Sequence, residues 1–359
     1  MIRQLKFFKL LYLVLAGALI STVILAKRSS LRRPASHMSS SSLSAPLNLT
    51  SLTDGADLIA VGSVVTVWEQ GSTTIKIGND LVAARQKVAL LSVDRILKGQ
   101  ADGSSLNFKF LTSDAIVYRD IPMSQVEMFF LRETSPGEYA ILDPFHPFVI
   151  AAEHAPPAEG GPLDKVVANL AHLLTNPAAS LDSRMEAIRA LRSAKTEAAT
   201  SALRQGAQEQ NISLRLEAAA ALLRRNDIST LDMVAKSLLE PSEDISDPGR
   251  GDAVFALDGI TDPRAIPTLS HLLSKGDVEI RRRAAVALRH THSSEAIGAL
   301  ARALDDSDQQ VRYSAVAGLA EITGETKWMP SIPLFKEDES PYLAHWHERV
   351  SKLISSQQR

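Results

Sequence analysis

An arginine returns along the chain at positions 184, 215, 250, 281 and 312, at intervals of 31, 35, 31 and 31 residues. A period of this length marks a stack of similar units, each burying its apolar face only against its neighbours. Three residues after each arginine stand Ala187, Ala218, Ala253, Ala284 and Ala315; six after stand Ala190, Ala221, Ala256, Ala287 and Gly318. Seven after is always leucine: Leu191, Leu222, Leu257, Leu288 and Leu319. Steps of three and four share one helix face, so the small residues let helices approach closely and the leucine fills the gap. Burying each leucine contributes about 1.5 to 3 kcal/mol.

Each unit contains a second helix. Ala265-Ile266, Leu269 and Leu272-Leu273 are repeated 31 residues later as Ala296-Ile297, Leu300 and Ala303-Leu304. The same pattern at Val166-Val167, Leu170 and Leu173-Leu174 has no first helix before it, which predicts an N-terminal half-unit. Ser307-Asp308-Gln309-Gln310, just before Val311, is a capping box that starts the last first-helix. The four extra residues of the long interval fall around residues 240–248 and predict a loop; their acids lack the alternating spacing of a calcium site.

The stretch DVEIRRRAAVALRHTHSSEAIGALARALDDSDQQVRYSAVAGLAEI resembles the short HEAT-like repeats of the phycobilisome lyase type, and the resemblance covers residues 163–325. It implies an α-α HEAT-like solenoid. Some relatives of this type attach or detach bilin chromophores, but many carry the repeat as a scaffold, and no chromophore-binding motif can be placed on this chain residue by residue.

Ahead of the repeats, residues 51–150 read as a small all-β domain. LIAVGSVVTVW, KVALLSVDRI, the alternating Leu106-Asn107-Phe108-Lys109-Phe110, and short runs at residues 127–132 and 139–142 predict five strands, with glycines between them. Five short strands suit a small closed or nearly closed barrel. ADLIAVGSVVTVW, VALLSVDRILKG and LNFKF resemble the start of netrin-like and tissue-inhibitor-of-metalloproteinase-like modules, which implies an OB-like barrel. Those inhibitors cap a protease zinc with an N-terminal cysteine; this chain has no cysteine at all, so inhibition does not carry over. Arg95 and Lys98-Gly99 fit either a ligand-contacting loop or a strand end closed by a glycine turn.

The N-terminus carries Arg3, Lys6 and Lys9, then an uncharged apolar run over residues 10–26. Residues 1–26 are therefore expected to be a signal peptide or an uncleaved signal anchor, with membrane contact through residues 10–26 in the second case. Residues 27–50, with a serine run and Pro34 and Pro46, read as a linker. Together these predict a membrane-anchored or secreted protein with an extracytoplasmic body. At the other end, residues 326–359 gather Trp328, Phe335, Tyr342 and Trp346, and Tyr342, Trp346 and Val350 share a helix face, which predicts an aromatic cap on the last unit.

Chemistry is hard to find. The histidine pairs His290/His292 and His345/His347 stand two residues apart and point about 200° from one another on a helix, unsuited to one metal ion. No nucleophile elbow, zinc-protease, phosphate-loop or dinucleotide motif is present. No catalytic residue, cofactor or metal is therefore expected, and a net charge of -2 gives no reason to expect a nucleic-acid partner. The repeated arginines are expected to hydrogen-bond within or between units, with Asp277 and Asp308 as candidate partners. Arg281, Arg282 and Arg283 form the one local basic cluster; two of the three should be exposed, which makes them candidate contacts for a protein partner. The expected function is non-enzymatic protein-protein interaction through the solenoid. The alternatives are a bilin-lyase-like enzyme and a protease inhibitor acting through the β domain.

Overall fold

The structure is a computed structural model that describes residues 46–77, 80–113, 121–240 and 248–357. The compact unit they belong to begins at Pro46. Helix α1, Leu49–Gly55, starts inside the stretch expected to be a linker. Asn48 caps it by accepting from Ser51 N, and Leu49 and Leu52 are buried.

Six strands follow: β1 (Leu58–Ile77), β2 (Asp80–Lys98), β3 (Ser105–Thr112), β4 (Val126–Ser135), β5 (Glu138–Ile141) and β6 (Val149–Ile150). All five expected runs are strands, and β1 and β2 continue as a long hairpin. β2 pairs with β3, β3 pairs in parallel with β5, and β5 pairs with β4. β4 also lies antiparallel to β1 over Leu58–Ser63, while β6 adds two pairs to its other edge. What is established is a six-stranded sheet rather than a clear barrel, so the OB-like barrel is a finer reading than this topology secures.

Residues 58–61 of β1 and 128–131 of β4 are buried on both faces, which is why LIAV and MFFL are unbroken apolar runs. Leu58, Ala60, Phe129 and Leu131 point into a core shared with Leu91, Phe108 and Phe148. Their neighbours Ile59, Val61, Met128 and Phe130 point the other way, into a core that continues through α1 and the helices as far as Trp346 and Val350. The sheet and the helical stack are therefore joined by packing. Arg95 holds the segment that leads from β6 into the helices by donating to Ala152 O at 2.6 Å and Ala155 O at 2.9 Å, and Leu49 N donates to Ser193 Oγ at 3.0 Å.

The half-unit helix α2 (Pro162–Thr175) comes first. The first helices of the five units are α3 (Leu181–Leu191), α5 (Ile212–Leu223), α7 (Pro248–Ala256), α9 (Val278–His290) and α11 (Gln309–Thr323). Four second helices alternate with them: α4 (Glu197–Gly206), α6 (Leu231–Leu239), α8 (Ile266–Lys275) and α10 (Ile297–Ala303). Ser180, Asn211, Asp277 and Asp308 are side-chain N-caps of α3, α5, α9 and α11. The alanines and leucines of the repeat register are fully buried. Gly318 breaks the alanine series for a steric reason: a Cβ there would lie 2.9 Å from Leu300 Cδ1 and 3.2 Å from Arg289 Cβ.

The aromatic end folds as a cap made of α12 (Ile332–Glu337) and α13 (Ser340–Gln357). Phe335, Trp346 and Val350 are buried, Trp346 donates to Trp328 O at 3.3 Å, and Trp328 stacks on His345 with centroids 3.9 Å apart.

One expectation changes. Among the described residues no helix is long and apolar enough to cross a membrane. The anticipated membrane-anchored or secreted, extracytoplasmic placement is corrected accordingly; residues 1–26, and the segment 10–26 on which it rested, lie outside the described residues, as do 27–45 of the linker. The loop expected around the long interval also falls mostly outside them, at 241–247.

Candidate interaction surface

The repeated arginines have one job in common. Each sends its guanidinium to carbonyls at the end of the second helix that precedes it or in the turn just after, where backbone acceptors have no partner within the helix. Arg184 donates to Leu174 O at 2.6 Å, Arg250 to Ser237 O at 2.8 Å and Leu238 O at 2.7 Å, and Arg281 to Gly276 O at 3.3 Å. Arg215 and Arg312 reach the turn just beyond, at Glu209 O and Asp306 O. The expected bonding within and between units is thus present, but through other carboxylates. Asp277 and Asp308 are N-caps, while Asp306 takes Arg281 at 2.8 Å and Glu339 takes Arg312 at 2.6 Å.

The basic cluster is similarly occupied. Arg281 lies against Asp306, Arg282 against Asp308 at 2.6 Å, and Arg283 bridges Glu279 at 2.6 Å and Asp258 at 2.7 Å while sitting 4.5 Å from the Phe255 ring centroid. The Arg282 hydrogen bond holds the Asp308 carboxyl down at about 2. All three arginines are half-buried, so they form a seam between successive first helices. A further seam lies between α3 and α7, where Glu217 of α5 meets Arg189 at 3.1 Å and is only 2% exposed. Burial, and then the nearby Asp252, raise its carboxyl above the usual range.

The second helices differ. Two residues after a fully buried or nearly buried apolar position (Leu170, Ala202, Val234, Leu269, Leu300) stand His172, Arg204, Lys236, His271 and Arg302. Two residues turn a helix by about 200°, so these five side chains face away from the core at equivalent places in α2, α4, α6, α8 and α10. Arg204 is bound to Asp227 at 2.8 Å and Glu197 at 2.9 Å. Among the described residues Lys236 pairs only with Glu240, at 3.9 Å, and both side chains are well exposed. Among the described residues the side chains of His172, His271 and Arg302 make no hydrogen bond or ion pair. Beside Lys236 and His271 opens a cleft of about 540 Å³ between α6 and α8, with Ala235, Leu239 and Pro267 in its walls. His172 and His271 stand at the same place in the repeat; the full series shows only when each second helix is aligned on its own buried residues.

The sheet carries a second cleft, of about 480 Å³, lined by Phe110, Ile121, Ile141, Pro144 and Pro147 and edged by the Lys109–Glu138 ion pair at 3.0 Å. Arg95 and Lys98 are structural joints: Lys98 donates to Thr53 O at 2.8 Å and Asp54 O at 3.0 Å, and Gly99 turns at φ 78° where a Cβ would meet Asp57 O at 2.4 Å. Among the described residues no group of three or more His, Asp or Glu is placed to hold a metal ion. His290 bonds Asp258 O and His345 bonds Glu325, each on its own.

A model of the HEAT repeat family matches residues 242–320. The chain is a helical repeat protein. No curated protein sequence matches it. Among solved structures, a designed armadillo repeat protein is 19% identical with a TM-score of 0.34, covering 50% of this chain and 98% of that one. Computationally designed armadillo repeat proteins for modular peptide recognition are 18% identical with a TM-score of 0.33, covering 52% and 97%. YibA of Escherichia coli is 20% identical with a TM-score of 0.31 over 43% of this chain, which spans 58% of YibA's length.

Proposed function

We propose that this repeat protein is a non-enzymatic scaffold that holds protein partners on the face formed by its second helices. The observation that carries this is the contrast in side-chain commitment: first-helix cations are bound to internal carbonyls and carboxylates, whereas Lys236, His271 and Arg302 line an open face beside a cleft. Helical repeats stack into extended surfaces that suit this use. The sheet would serve as the fixed end of the stack. Its hydrogen bonding passes from β1 through β2, β3, β5 and β4 back to β1, which supports reading it as a small OB-like barrel. No specific observation favours the bilin-lyase-like or inhibitor alternatives over this reading.

The test is site-specific photo-cross-linking in cells, with the reactive side chain placed at His271 or Arg302 and, on the first-helix face, at Phe255. Discrete heavier adducts from the first two positions and none from the third are expected. Equal adducts from all three, or none from any, would remove the assignment of the face.

A further inference from the structure

The seam around Glu217 is built differently from the rest of the stack. We infer that it is a proton-operated joint: with Glu217 ionised the contact of α5 with α3 and α7 opens more readily, and uptake of a proton by that carboxyl tightens it.

Two places after the repeated arginines stand Glu186, Glu217, Asp252, Arg283 and Ser314. Asp252 is shared by two cations, Arg192 at 3.3 Å and Arg224 at 3.2 Å, and stays partly open to water. Arg283 has two carboxylates, and Ser314 is buried without a charge. Glu217 carries its charge in the interior with less support. Its side chain is 2% exposed; among the described residues Oε1 takes one donor, Arg189 Nε at 3.1 Å, and Oε2 takes none. Arg189 itself is 46% exposed, so water competes for its guanidinium.

A carboxylate held in this way is relieved either by water, which enters when the seam opens, or by a proton. Burial first, and then repulsion from Asp252, push the Glu217 carboxyl above the ordinary 4.5 of a glutamate, against the opposing charges of Arg189 and Arg192. The surrounding groups offer no substitute for the proton. Helix α3 presents Arg189, Arg192 and the half-buried Glu186, α7 presents Asp252, and Arg224 at the end of α5 is spent on Asp252. Glu197 and Arg204 of α4 pair with each other and with Asp227, Arg225 goes to Leu191 O and Ala194 O, and Asp258 pairs with Arg283. A carboxyl raised on folding supports the fold below its unfolded value and loses that support as pH rises through its folded value, so the joint loosens toward neutral pH. Asp308 behaves in the opposite sense, losing its support in acid.

The experiment is hydrogen-deuterium exchange on the full chain at about pH 5 and about pH 7.5, with rates corrected for the intrinsic pH dependence of exchange. Peptides from α5 and α7 are expected to exchange about threefold to tenfold more slowly at the lower pH, while peptides from α9 and α11 change less. Glu217→Gln keeps an acceptor for Arg189 and removes the charge. It should bring the slow exchange to pH 7.5 and raise the thermal midpoint there by about 2 °C or more. Asp252→Asn removes only the repulsion, and should shrink the difference between the two pH values without abolishing it. If Glu217→Gln fails to fold, the unaltered chain still decides, because the carboxyl carbon resonance of Glu217 should titrate above those of the exposed glutamates. Exchange in α5 that ignores pH, a Glu217→Gln chain with the parent's pH response, or a Glu217 carboxyl that titrates with the exposed ones would each overturn the inference.

Discussion

The two faces of the helical stack carry the same kinds of side chain and use them differently. On the first helices, Arg184, Arg250, Arg281 and Arg312 each find a helix end or the turn after it, and Arg281 and Arg312 add a carboxylate from a later turn. On the second helices, His271 and Arg302 point away from the core with no such acceptor among the described residues. An arginine is thus structural or free according to whether the stacking geometry brings a carbonyl end to it. The residue type alone does not decide.

The contrast can be broken most severely in the core that supports the first helices. Leu288→Ala should destabilise the protein by about 2 to 5 kcal/mol in denaturant titration, because a fully buried side chain leaves a cavity. Gly318→Ala comes next: the added methyl must displace Leu300 or Arg289, an overpacking cost of about 1 to 3 kcal/mol that the same titration would register.

Arginine substitutions test the comparison directly. Arg312→Ala leaves Asp306 O and Glu339 without their donor and should cost about 1 to 3 kcal/mol, whereas Arg302→Ala should stay within about 0.5 kcal/mol. Comparable losses for the two would erase the distinction between the faces. The smallest effect is in acid. Because the folded-state carboxyl of Asp308 is lowered from 3.8 to about 2, its pairing with Arg282 supports the fold fully above about pH 4. That support fades as pH falls toward 2. Asp308→Asn keeps the N-cap acceptor but not the charge, so its stability curve should be flatter over that window.

Much of this was legible from spacing. The arginine-alanine-leucine register placed all five first helices, and the clustering of Trp328, Phe335, Tyr342 and Trp346 placed the cap. The five longer β-runs were visible because their apolar side chains recur regularly; β6, two residues long, carries no period to find. Helix α1 was hidden by the Ser- and Pro-rich stretch before it, although Asn48 and the Leu49 and Leu52 spacing were a local signal. Arg281, Arg282 and Arg283 looked free because their partners Asp306, Asp308 and Asp258 come from other turns, brought near only by stacking. The unbonded second-helix side chains His271 and Arg302 were illegible for the complementary reason: lacking a partner among the described residues depends on what the neighbouring units supply.

The stack is closed at both ends, by the sheet packed under α1 and α2 and by the Trp346 cap over the last unit. An array with open ends can lengthen or shorten by adding or dropping a terminal unit at little penalty. Here either change would expose Ile59 and Phe130 on one side or Phe335 and Trp346 on the other. Duplication or loss of a hairpin is compatible with the fold only in the interior, where every new interface copies one that already exists.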